Sequence, residues 1–260
     1  YLLQTRQYTC GGCLMPTIPV SSTSGVLRSF VNGTTNANFT TARDGNSLFV
    51  DLSDNDDLIL CGRFGSRIFF FRGYYAFDTS SITSTVSSAT LDINVNTYDD
   101  GSGSSVVGII VKGTEPGSGG NLTTSDWLSA PGMTAAQSGQ SYDSTATKYS
   151  NPFTLTSAGA ASISFNATAL GDMLNDSVFN IVLMEHSFDF TNNVPGSSFA
   201  RGRFDVDGRT GTSPLVLNYT LAPTAAGEVA SVNNTAIGNI SSILGAAKAS
   251  IASINGVDMP

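Results

Sequence analysis

Charge is scarce in this sequence. Only 12% of its 260 residues are Asp, Glu, Lys or Arg, about half the share of an ordinary soluble protein. Serine, threonine, asparagine and glycine take their place, so the surface is decorated with hydroxyls and amides. Positive charge is scarcest: 12 Lys and Arg stand against 20 Asp and Glu, a net charge of −8. Nucleic-acid binding needs a basic face that releases phosphate counterions. Here the basic residues are scattered, apart from Arg201, Arg203 and Arg209. The acidic balance also disfavours anionic membrane surfaces. No apolar run reaches the roughly 18 residues that a membrane-spanning helix requires.

Histidine, tryptophan and cysteine are nearly missing too. The single histidine, His186, has no nucleophile elbow to serve, so nothing points to a catalytic triad. Carboxylate pairs such as Glu185 with Asp189, or Asp205 with Asp207, are too common in loops to indicate glycoside cleavage. The expectation is a non-enzymatic protein with no catalytic residue. Three cysteines cannot complete a disulfide framework. Cys10 and Cys13 have metal-hook spacing, and Cys61 with His186 would have to complete a zinc site. A local disulfide or free thiols are the simpler reading. Asp205-Val206-Asp207-Gly208 and Asp54-Asn55-Asp56-Asp57 are oxygen-rich turns. Asp205 and Asp207 are weak candidates for a structural calcium, but neither segment has full calcium-loop spacing, and no other cofactor is expected. The eight Asn-x-Ser/Thr triplets follow from abundant Ser and Thr and do not indicate glycosylation.

What the chain does have is strand pattern. Ala89, Leu91, Ile93 and Val95 alternate with Thr90, Asp92, Asn94 and Asn96, giving one dry and one wet face. Further strands are expected at 47–51, 58–61, 67–78, 106–111, 153–156, 162–165, 178–184, 199–204 and 214–221. One short helix is expected after Asn166, carrying Ala169, Leu170, Met173 and Leu174. Many short strands between glycine turns, without repeated helices, predict an all-β protein. The expected fold is a jelly-roll-like antiparallel β-sandwich. Residues 1–42 lack a sustained period and read as an extended N-terminal arm. Residues 43–222 form the sandwich, and 223–260 a linker and C-terminal attachment or oligomerisation tail. The lone Trp127 reads as a sheet-edge anchor. A sharper alternative makes Trp127, Tyr142 and Tyr149 an exposed row that stacks on sugar rings.

Two resemblances add to this. The run from Arg67 through Phe77-Asp78-Thr79-Ser80-Ser81-Ile82, then Val86-Ser87-Ser88-Ala89-Thr90-Leu91, resembles the DNRLRE-type domain. Trp127 and the closing Ser213 to Tyr219 extend the similarity over roughly residues 45–221; Thr83 stands where that family commonly has a proline. The resemblance implies a jelly-roll-like sandwich of secreted, cell-surface and phage proteins, some of whose relatives resemble carbohydrate-binding modules. It describes a fold core and carries no site.

In the tail, Ile237, Ile240, Leu244, Ala247, Ile251 and Ile254 recur at heptad spacing, which predicts a short helical or extended tail. A second pattern overlies it: Ile237-Gly238-Asn239-Ile240 is echoed by Ile251-Ala252-Ser253-Ile254. An ending of this kind, closing on Ile254-Asn255-Gly256-Val257, resembles the C-termini of many phage virion proteins. Ile237, Ile240, Leu244, Ile251 and Ile254 are the expected partner-binding residues, since an apolar stripe on a tail needs burial against another chain. The implied role is a virion-surface structural protein of a phage-like virus: capsid decoration, fibre or tail-associated. Other virion proteins and further copies would be its partners, with a host surface glycan as a candidate ligand. A secreted or cell-surface carbohydrate-binding module is the alternative.

Overall fold

Hydroxyl- and amide-bearing residues interleaved with aliphatic ones make a strand whose two faces meet different solvents, and this dictates the centre of the fold. The computed structural model describes residues 16–51, 56–101, 105–114, 121–134, 138–196, 200–208 and 213–222, with short backbone segments at 9–10, 13–14, 242–243, 246–247, 253–254 and 257–258. Two units are present, Tyr1–Leu221 and Ala222–Pro260.

In the first unit the strands run β1 (Thr9–Cys10), β2 (Cys13–Leu14), β3 (Thr17–Pro19), β4 (Gly25–Asn32), β5 (Phe49–Asp51), β6 (Asp56–Phe64), β7 (Arg67–Asp78), β8 (Val86–Asp99), β9 (Val106–Lys112), β10 (Phe153–Leu155), β11 (Gly159–Ser164), β12 (Val178–Glu185), β13 (Arg201–Asp207) and β14 (Val216–Leu221). Helix α1 (Asn36–Arg43) follows β4, and α2 (Ala167–Asn175) precedes β12. Every strand pair is antiparallel, as expected for an all-β sandwich.

Two long strands organise the sheets. β7 pairs with β4 along one edge, while on the other its first half pairs with β6 and its second half with β12. β9 and then β10 continue beyond β12. β8 carries β11 on one edge and both β14 and β13 on the other. β13 pairs in turn with β6, so β6 and β13 carry the hydrogen-bonded ladder from one sheet into the other. Inside the sandwich, Leu91, Ile93 and Val95 of β8 meet Tyr75 and Phe77 of β7, Phe179 and Ile181 of β12, and Phe204 and Val206 of β13. Burying each such aliphatic or phenyl side chain contributes about 1.5–3 kcal/mol. The opposite face of β8 is wet: Asp92 accepts hydrogen bonds from Thr90, Ser162 and Asn218, and Asp207 from Asn94 and Asn96.

The expected arm does not end at residue 42. β4 lies in the sheet beside β7, and α1 packs with Phe39 and Ala42 fully buried. Alternation is hidden in β4 because both faces are covered: Val26 points into the sandwich and Leu27 into a second core on the far side. α1 is built from poor helix formers and depends on its cap. The Thr35 hydroxyl accepts from the Asn38 amide, and the Asn38 side chain accepts from the Thr35 amide. Such a box is worth about 1 kcal/mol. α2 starts as expected, with Asn166 accepting from the Ala169 amide.

The second unit differs from the helical option for the tail. β15 (Ser242–Ile243) pairs with β16 (Ala246–Ala247), and β17 (Ser253–Ile254) with β18 (Val257–Asp258). These strands exclude a continuous heptad helix over 242–258 and leave the extended alternative. Asn255-Gly256 is the residue pair that two-residue hairpin connections prefer. Ile237, Ile240, Leu244 and Ile251 lie outside the described residues, and of Ile254 only the backbone is described.

Leu91→Ala is expected to cost about 2–5 kcal/mol in urea unfolding, the range for a buried leucine truncation. Ser88→Ala, on the exposed face of the same strand, is expected to stay within about 0.5 kcal/mol.

Candidate functional site

The outward face of the β4–β7–β12–β9 sheet carries Leu27, Ile68, Phe70, Tyr74, Val182, Met184, Ile109 and Val111, and it is covered. Its cover is α1, the loops around Trp127 and Tyr142, and a π-helical turn at His186–Phe190. Arg72 of β7 points into this cover and is fully buried, as are Arg43 at the end of α1 and Asp189 of the π-turn. Asp189 takes Arg72 in a bidentate grip, Nε to Oδ2 at 2.7 Å and Nη2 to Oδ1 at 2.7 Å. Arg43 approaches the same carboxylate at 3.5 Å and donates from Nε to the Asp189 carbonyl at 2.9 Å. Burial pulls Arg72 down, but the adjacent Asp189 charge outweighs it and leaves the guanidinium well above its ordinary value.

The aromatic rings complete this cluster. The Arg72 guanidinium carbon lies 4.1 Å from the Trp127 ring centroid, and that of Arg43 lies 3.7 Å from Tyr142. The Trp127 indole donates to the Arg43 carbonyl at 2.8 Å, and the Tyr74 hydroxyl to the Trp127 carbonyl at 2.7 Å. Gly45, just past α1, has φ +97° and lies where a Cβ would sit 2.7 Å from the Trp127 ring. The left-handed backbone and this close approach both require glycine.

Trp127, Tyr142 and Tyr149 are therefore not an exposed row; each is about 1% exposed. Tyr149 stacks on Phe179 inside the sandwich, and its hydroxyl donates to Asp172 at 2.5 Å. The sugar-platform expectation fails on all three, because sequence alone does not separate a ring stacked on a buried arginine from a ring offered to a ligand.

The other expected groups are held by protein partners. Asp205 binds Arg203 and the Thr97 hydroxyl. Asp207 accepts from Asn94, Asn96 and the Ser213 amide. Both carboxylates thus face nitrogen and hydroxyl donors, a poor beginning for a calcium cage. Cys61 is a buried free thiol, pushed well above its ordinary value by burial, so it holds its proton and stays inert. Among the described residues no three His, Cys, Asp or Glu side chains cluster as metal ligands. Asp54 and Asn55, and the side chains of Cys10, Cys13 and Asp56, lie outside the described residues.

The sequence reading passed over one surface. Where β4, β5, β6 and β7 run on past the second sheet, the inner face of the sandwich emerges uncovered by the described residues. Strand register aligns Phe49, Arg28 and Phe71 in one row and Phe30 with Phe69 in the next. Phe30 stacks on Phe49 with centroids 6.1 Å apart, and Phe69 lies 5.9 Å from Phe30. Phe49 is 46% exposed. Arg28 lies over the Phe49 ring at 5.1 Å and Arg67 over Phe30 at 5.8 Å. The depression between these two arginines is lined by the four phenylalanines and Ser29, whose hydroxyl is spent on the Ala42 and Asn46 carbonyls. Phenyl rings and guanidinium groups dominate the lining, and at its edge the Asp51 carboxylate stands 3.9 Å from Arg28. The signal for this face lay in Phe30, Phe49, Phe69 and Phe71, but only the pairing of three strands assembles them.

Comparison with protein-family models and with curated proteins finds no match for this chain.

Asp189→Asn is expected to destabilise by about 3–5 kcal/mol, because it strands two buried guanidinium groups. Glu185 gives a pH prediction. Burial pushes its carboxyl up to about 8, against the pull of the Asp189, Phe188 and Ser187 amides it accepts from. A carboxyl raised in the fold keeps its proton there while the unfolded chain loses it. Its stabilisation is therefore full below about pH 4.5 and is lost as pH rises towards 8. Between pH 5 and 8 the unfolding free energy of the wild type should fall relative to that of Glu185→Gln; parallel profiles would refute the assignment.

Proposed function

We propose that this chain is a non-enzymatic structural protein of a phage-like virion, with a DNRLRE-like β-sandwich facing solvent and residues 223–260 attaching it to the particle. The observation that carries this reading is the organisation of the tail. Residues from Ala222 onward form a unit of their own, and β15 and β17 begin eleven residues apart, at Ser242 and Ser253.

The same interval reaches further upstream in the sequence. Val229-Ala230-Ser231-Val232-Asn233-Asn234 precedes Ile240-Ser241-Ser242-Ile243-Leu244-Gly245 by eleven residues, and Ile251-Ala252-Ser253-Ile254-Asn255-Gly256 follows at the same spacing. A recurring strand-and-turn unit of this length is too short to bury its own isoleucines and valines and needs stacked neighbours to do so. Other copies or other virion proteins supply that cover in this reading. The sandwich supports it from the other side, because Arg72, Arg43 and Asp189 under the cover are engaged with one another and Glu185 with the amides of the π-turn. Repeated copies then give firm attachment from individually weak contacts.

The test is truncation after Ala222 in virions that carry a tagged copy of this chain. The full chain should co-sediment with particles. The truncated chain should stay soluble with the same β-rich circular dichroism, and its co-sedimentation at the full-length level would overturn the proposal.

A further inference from the structure

We infer that the arginine-flanked phenylalanine face formed by Phe30, Phe49, Phe69 and Phe71 is a contact surface for a second copy of this chain, joined head to tail. This rests on the reading of the chain as a repeated component of an assembly.

Three observations lead to it. The first is the apolar face itself. Of the three large apolar side chains exposed among the described residues, Phe49 and Phe64 lie at this end of the sheet. Phe64 stands across from Arg67 in the β6–β7 register. A contiguous apolar face of a sheet is normally covered by a partner. The second is charge. Arg28 and Arg67 flank the rings, and Arg201 lies over Phe64 at 5.2 Å; Asp51 stands 3.9 Å from Arg28 and Asp99 pairs with Arg201, so Arg67 carries the excess positive charge of this rim. The chain as a whole is acidic, 20 acidic residues against 12 basic. Another copy therefore carries a net charge of opposite sign to the excess on this rim. Two such faces pressed together would instead oppose the same excess positive charge at Arg67, which favours a heterologous contact that propagates from copy to copy. The third is the edge. β5 pairs only with β4 among the described residues, so its far edge is open beside Phe49 and can take an added strand from the neighbour.

A sugar is the poorer occupant because phenyl rings and guanidinium groups make up most of the lining, while Ser29 is bonded to the Ala42 and Asn46 carbonyls and Asp51 is drawn to Arg28. Nucleic acid is disfavoured by the negative field of the whole chain.

Sedimentation velocity of the full chain across a concentration series tests the inference. Reversible association is expected at low salt, weakening as added salt screens the arginine rim. Phe49→Ser and Arg67→Glu, both at exposed positions, should each weaken self-association about tenfold or more with an unchanged melting temperature. A chain that is monomeric at every concentration would overturn the inference. So would association that both variants leave untouched but truncation after Ala222 abolishes; that result assigns self-association to the tail and leaves the attachment reading standing. Binding of an acidic peptide or an anionic oligosaccharide by a monomeric chain, lost in Phe49→Ser, would give the face a different occupant and equally overturn it.

Discussion

The structure turns on one buried carboxylate. Asp189 faces two guanidinium groups, Arg72 from the sheet and Arg43 from α1, in a volume with no solvent exposure. A buried charge without partners costs several kcal/mol, and bringing both partners to it requires α1, the Trp127 loop and the π-turn to be in place together. Arg43 still has two buried nitrogens without an acceptor among the described residues, and the Tyr142 ring beneath it takes their place. Hydrophobic cover alone would not fix where these segments sit. The bidentate geometry of Arg72 does, since a planar fork meets a carboxylate in one orientation.

This constraint explains why β7 carries a run of aromatic residues with hardly a polar interruption. Its odd and even positions serve two different cores, one between the sheets and one beneath the cover. Arg72 is the single charged side chain at the middle of that strand, and Asp189 is the reason it is tolerated. Towards the start of β7 the same logic leaves Phe69 and Phe71 only partly covered, and the chain flanks them with arginine.

Much of the sandwich was legible because most of its strands alternate. β8 reads from its Leu91, Ile93 and Val95 spacing, and α2 from Asn166 and the apolar residues after it. β4 and α1 were not legible: β4 is buried on both faces, which erases the period, and α1 relies on a Thr35–Asn38 cap in place of propensity. The aromatic residues misled for a related reason. Trp127, Tyr142 and Tyr149 stand outside the strands, where aromatic rings suggest a ligand, but their partners are distant in sequence: Arg72 for Trp127, Arg43 for Tyr142 and Phe179 for Tyr149. The tail's isoleucines fit a heptad as well as they fit an eleven-residue strand-and-turn repeat. Gly245 and Gly256 tip the balance, because glycine weakens a helix and suits a tight turn.

If Asp189 locks the cover to the sheet, the two open together as one cooperative body. Native-state hydrogen exchange measures this directly. The amides of Trp127, Tyr142 and Phe190 should open with the same free energy and the same denaturant dependence as those of Tyr74 and Val182 in the sheet. Exchange of the three cover amides through a separate, much cheaper opening would contradict the account.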